Sequence, residues 1–223
     1  MSASFPSWFR ALLWMAAGGL LLVTLRSAAS AVSGAGLPLL WWSARTLGIV
    51  ATVALSLSIV FGLQLGGKSA ALLPPAVTLA LHQRWTLVSL LATAGHVLAV
   101  VVDDNARVGP LSVLIPFASA QLRGPVALGT LALWGLALIA LSTALSAHIP
   151  RPVWRALHGL AFGAFALSVM HAATAGTDVW SPVVLLLVGG GLVLVLGGVF
   201  QRVLLGLLLP AGEPKGSGER GGA

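Results

Sequence analysis

The sequence predicts an all-α membrane protein, a bundle of six transmembrane helices. Hydrophobic residues make up 58% of the 223-residue chain and charged residues only 8%, against about 25% charged in a soluble domain. The apolar residues gather into six runs, each close to the ~20 residues a helix needs to cross a hydrocarbon core of roughly 30 Å. Gly- and Pro-rich breakers separate the runs, and basic residues stand at their ends.

The first run, 9–31, begins beside Arg10 and meets Arg26 without a small-residue cleavage site. It therefore reads as a span and not as a cleaved signal peptide. Gly34, Gly36 and Pro38 follow it. The second run, 44–65, ends in the breaker from Gly66–Gly67 to Pro74–Pro75. The third, 80–102, stops at Asp103–Asp104, and an irregular stretch through Pro116 leads to the fourth, 123–146. Pro150 and Pro152 precede the fifth, 155–175, and Gly176 to Pro182 separate it from the sixth, 182–208. Glycines in VGGGLVLVLGG (188–198) of that last run suit close helix packing. Residues 1–209 thus form one transmembrane domain. The remainder, 210–223, is Gly-rich and charged and is expected to be a disordered tail.

The net charge of +7 is not a nucleic-acid signal, because the basic residues punctuate apolar runs where they orient helices. With six spans, Arg10, Lys68, Arg84, Arg151, Arg155, Arg202, Lys215 and Arg220 share one side. Arg26, Arg45, Arg107 and Arg123 share the other. Eight against four predicts a multi-pass protein of the cell membrane with both termini cytoplasmic. The chain has no cysteine, which excludes disulfides, Cys-ligated metal centres and covalent haem attachment.

Histidines carry the functional signal. The third run holds His82 and His96, fourteen residues apart, and the fifth holds His158 and His171, thirteen apart. At ~1.5 Å per residue these are separations of about 21 and 19.5 Å along a helix, so each helix has one histidine towards either leaflet. Ionisable groups at membrane depth are costly and mark function, and imidazole is the commonest metal ligand. Runs three and five are parallel in this topology, so His82 lies level with His158 and His96 with His171. A planar macrocycle with iron at its centre fits between the members of each pair. One condition attaches. Fourteen residues leave His96 about 40° from His82 around the helix, but thirteen leave His171 roughly 140° from His158. The fifth helix is therefore expected to be distorted, with Gly159 and Gly163 the places for it.

These residues resemble the ferric-reductase-like transmembrane domain, the haem-bearing membrane domain of NADPH oxidases, ferric reductases and a bacterial methionine sulfoxide repair system. The resemblance runs from about Trp41 to Pro182. It includes ARTLG (Ala44–Gly48), LHQRW at the entry to the third run, IPFAS (Ile115–Ser119) and, most specifically, WRALHGLAFGAFALSVMHAATAGTD (Trp154–Asp178). It implies two stacked b-type haems, with His82 and His158 as axial ligands of one iron and His96 and His171 of the other. It implies an electron-transfer subunit of an oxidoreductase, a transmembrane cytochrome b passing electrons to an acceptor on the outer side. No flavin or nicotinamide site is expected in this chain, so the donor would be a separate flavin-dependent reductase or a quinol. Two other functions stay open: a structural subunit that binds haem to anchor a redox partner, and a histidine-based transporter or proton relay. The relay predicts an acidic residue inside a span, and none of the five Asp and Glu lies in one.

Arg45, Arg84 and Arg155 stand near the levels of the expected haem edges, where arginine binds a propionate in a fork; Arg45 is the strongest of the three. His148, in AHIPRPVW, is expected at the interface. GLQLGGKS (62–69) matches the phosphate-loop pattern, but it closes a span where that loop needs a strand before it and a helix after it. The tryptophans mark interfacial belts, with Trp85 and Trp134 considered as aids to electron transfer.

Overall fold

A computed structural model describes residues 39–65 and 73–208. The first expected span, 9–31, and the tail, 210–223, lie outside the described residues, as do Arg10, Arg26, Lys68, Lys215 and Arg220. The described residues are helical and contain no strand. Five helices or helix pairs among them are long and apolar enough to cross a membrane, so the chain is a multi-pass membrane protein.

Helix α1 spans Leu39–Leu65 and α2 spans Pro75–Val102. Both start about five residues before the apolar runs do. Pro75 sits at the first helical position of α2, where its missing N–H costs nothing. A short helix α3, Pro110–Leu114, follows, and then α4, Arg123–Ala144. The fifth run divides into α5, Arg151–Gly159, and α6, Ala161–Ala175. The sixth starts as α7, Pro182–Val184, passes through a π-helical turn at Leu185–Gly189 and continues as α8, Gly190–Leu208.

The break between α5 and α6 is the distortion that the histidine spacing requires. At Leu160 the backbone N–H turns to the Leu157 carbonyl at 3.1 Å, three residues back in place of four. Normal helical bonding resumes with the Ala164 N–H to the Leu160 carbonyl at 2.9 Å. His158 lies before the tightened turn and His171 after it, so their directions are uncoupled from ideal helical phase. The break adjoins Gly159, while Gly163 sits inside regular helix.

Small and hydroxylic residues let α1 and α2 lie antiparallel at close range. Ser58 Oγ meets Thr86 Oγ1 at 2.6 Å, and Ser89 Oγ donates to the Ala51 carbonyl at 3.0 Å. Helix α4 packs on α6, where a Cβ at Gly135 would stand 3.2 Å from the Ala164 Cβ. Helix α8 runs parallel to α1, with Gly191 against Ser56 and, seven residues further along both, Gly198 against Leu63. The shared core is Leu55, Ile59, Leu136, Ala164, Phe165 and Val195. Its outward faces are apolar, as lipid requires: Leu91, Leu186, Val193 and Phe200 are all exposed.

Candidate functional site

The two histidine pairs meet. The imidazole centroids of His82 and His158 are 6.0 Å apart, with planes at 65°. Those of His96 and His171 are 6.1 Å apart, with planes at 76°. Because each meets the partner expected for parallel helices, α2 and the α5–α6 pair run in the same direction.

Three of the four rings are anchored in one way. His96 Nδ1 is 2.6 Å from the Ala44 carbonyl, His82 Nδ1 is 2.8 Å from the Ser58 carbonyl, and His171 Nδ1 is 2.8 Å from the Pro125 carbonyl. The carbonyl is the acceptor, so Nδ1 carries the proton and Nε2, on the far side of the ring, keeps its lone pair. Neutral imidazole held in this tautomer is the form that ligates a metal.

A glycine makes each anchor possible. Gly48, Gly62 and Gly129 stand four residues after Ala44, Ser58 and Pro125. In a helix the residue four further on supplies the N–H that the carbonyl already accepts, and its Cβ covers the flank of that carbonyl. Without a Cβ, a ring from the neighbouring helix reaches the second lone pair. A Cβ at Gly129 would lie 2.9 Å from His171 Cε1 and Nδ1. One at Gly48 would lie 3.1 Å from His96 Nδ1, and one at Gly62 3.3 Å from His82 Cε1. Sequence reading missed this notch. The signal was present: Gly48 and Gly62 are fourteen residues apart on α1, as His82 and His96 are on α2.

His158 differs. Its Nδ1 is buried without a hydrogen-bond partner among the described residues, and Trp154 stacks on it at 5.0 Å with planes 23° apart. No described glycine has the His158 ring among the atoms nearest an added Cβ, and thirteen residues along α4 from Gly129 stands Ser142.

The His96–His171 level opens into a cavity of about 380 Å³ lined by both histidines, Gly48, Thr52, Gly129 and Ser168. That is within the ~300–1,000 Å³ range of small-molecule and cofactor sites. Val184 and Val188, from the start of the sixth run and its π-turn, reach the lining, as do Gln121 and Leu122 from the loop before α4. That loop is held by unusual backbone, with φ of 67° at Phe117 and 47° at Leu122, and by Arg123 Nε donating to the Phe117 carbonyl at 2.9 Å. Arg45 and Asp178 close the rim as an ion pair, and the Arg45 guanidinium lies over the Trp41 ring at 5.4 Å.

The other sequence expectations fare unevenly. Arg84 and Arg155 are exposed. His148 is exposed in a one-turn helix at Ser146–His148, away from both pairs in the chain. Trp134 points outward, half exposed, with its Nε1 donating to the Leu114 carbonyl at 3.1 Å. The buried aromatic between His158 and His171 is Phe165, only 2% exposed. The stretch 62–69 begins inside α1 and continues outside the described residues.

Among the described residues no group of three or more His, Cys, Asp or Glu is placed to hold a metal ion. Comparison of the chain with protein-family models, with curated proteins and with solved structures finds no match.

Proposed function

We propose that the protein is a transmembrane b-type cytochrome, ferric-reductase-like in its histidine pattern, that carries electrons from a cytoplasmic or membrane donor to an acceptor outside. Haem b would be held at two levels, by His82 with His158 on the inner side and by His96 with His171 on the outer side. The observation that carries this reading is the pair separation. An imidazole nitrogen binds a first-row metal at about 2.0–2.1 Å and lies roughly 1.1 Å from its ring centroid, which puts two opposed ligands about 6.2–6.4 Å apart between centroids. The two pairs stand at 6.0 and 6.1 Å, within a few tenths of an ångström. Two histidines per level need a metal whose other ligands come from elsewhere, which a porphyrin supplies.

Haem held by these histidines would supply one-electron redox chemistry. The chain supplies the rest. Ala44, Ser58 and Pro125 fix the tautomers of three ligands, and the apolar core around Phe165 fills the gap of about 20 Å between the levels. Arg45 would serve a propionate at the outer rim, exchanging a partly exposed ion pair with Asp178 that is worth only about 0–1 kcal/mol. Arg45→Leu is therefore expected to weaken haem retention at the outer level. Asp178→Asn is expected to leave it unchanged or to improve it, with haem per chain after detergent washing as the check.

Vectorial transfer tests the function. In sealed vesicles holding the haem-loaded protein and a trapped impermeant oxidant, an external reductant is expected to reduce the oxidant much faster than in protein-free vesicles. Equal rates in the two preparations would remove the conduit.

A further inference from the structure

Resting on that reading, we infer that the two levels grip haem unequally, with the His82–His158 level the weak one because His158 alone of the four has no carbonyl anchor among the described residues. Three ligands share one construction, a glycine notch with a carbonyl four residues before it. At the His158 position both parts of the construction are missing among the described residues. Its Nδ1 meets no acceptor and no glycine has the His158 ring nearest an added Cβ; the neighbouring Trp154 Nε1 is likewise buried without a partner there.

The consequence follows from how imidazole binds iron. A carbonyl accepting the Nδ1 proton pushes electron density towards Nε2, makes it a stronger donor and holds the ring in line. His96 and His171 both have that support. At the other level His82 has it from the Ser58 carbonyl, with Ser58 Oγ a further 3.1 Å contact. His158 has only the face of Trp154, which limits the ring's tilt and leaves its proton unmatched. Loss of one such outer partner typically costs about 10–100-fold in metal affinity. Weaker donation also favours the ferrous state, so the His82–His158 haem is assigned the higher reduction potential. Gly62, Gly48 and Gly129 are positioning residues in this account, acting on iron through the histidines they admit.

The test is a haemin titration of apoprotein, made under haem limitation and kept in nanodiscs. Two phases of one equivalent each are expected, separated by about 10–100-fold in affinity. His171→Leu should remove the tight phase and His158→Leu the weak one, and the weakly bound haem should show the higher midpoint potential. Two equivalents bound in one phase, or a tight phase lost with His158→Leu, would overturn the inference and leave the haem reading standing. No haem bound in either phase would overturn both. Gly48→Ala guards against variants that fail to fold. It keeps every ligand and is expected to shift only the tight phase, and a shift confined to the weak phase contradicts the assignment.

Discussion

His171→Leu is expected to halve the haem bound per chain while the protein stays folded. Among the described residues the imidazole at this position has one hydrogen-bond contact, its Nδ1 to the Pro125 carbonyl. That carbonyl starts a regular helix and keeps its backbone partner, so losing the contact costs about 1 kcal/mol or less. Leucine suits a cavity lined by Val126, Leu133, Val184 and Val188. The fold therefore has little reason to fail. If the proposed function holds, the outer haem is expected to be lost, because His96 would be left as a single ligand. The inner pair lies about 20 Å away along the helices and shares no side chain with this site, so its haem should be retained with an unchanged spectrum. Haem quantified per chain, alongside thermal unfolding of the same preparation, checks both halves. Loss of both haems together with an unshifted melting curve would contradict independent levels.

Gly129→Ala is expected to weaken haem binding at the outer level with every ligand still present. The new Cβ would stand 2.9 Å from two atoms of the His171 ring and 3.2 Å from a third. A ring pinned at its Nδ1 cannot yield as a flexible chain end does. It must leave the Pro125 carbonyl, at an overpacking cost of about 1–3 kcal/mol. Alanine in a helix gains back as much as ~1 kcal/mol over glycine, so part of that cost is offset while haem affinity at the outer level falls about 10–100-fold. Gly163→Ala is the control. It lies on the same helix as His171 with nothing within 4 Å of the added atom, and it should stabilise slightly and leave haem binding unchanged. The comparison is made by haem affinity at each level in the three proteins.

The helices were legible because lipid imposes a simple rule. Unbroken apolar runs must be helical, and the breakers at Gly176–Pro182 and Pro150–Pro152 end them near the observed boundaries. The pairing of His82 with His158 and His96 with His171 was legible too, because parallel spans and near-equal spacings leave one registration. Even the need for a distortion in the fifth run followed from thirteen residues being out of phase, and it falls at Leu160. The notches were not read, because helix packing alone explains a glycine in a membrane span. Only the partner helix shows that Gly48, Gly62 and Gly129 face imidazoles while Gly163 faces open space. The orientation of Trp134 was not legible for a related reason: sequence position cannot say which side of α4 faces outward, and Trp134 turns to the Leu114 carbonyl.

The central claim is that each pair of imidazoles grips one iron from opposite sides. Electron paramagnetic resonance of the oxidised, haem-loaded protein, read with haem quantified per chain, measures this most directly. Two low-spin ferric signals at two haems per chain are predicted, with the outer one abolished in His96→Leu. A high-spin spectrum, or haem content that His96→Leu and His158→Leu leave untouched, would contradict it.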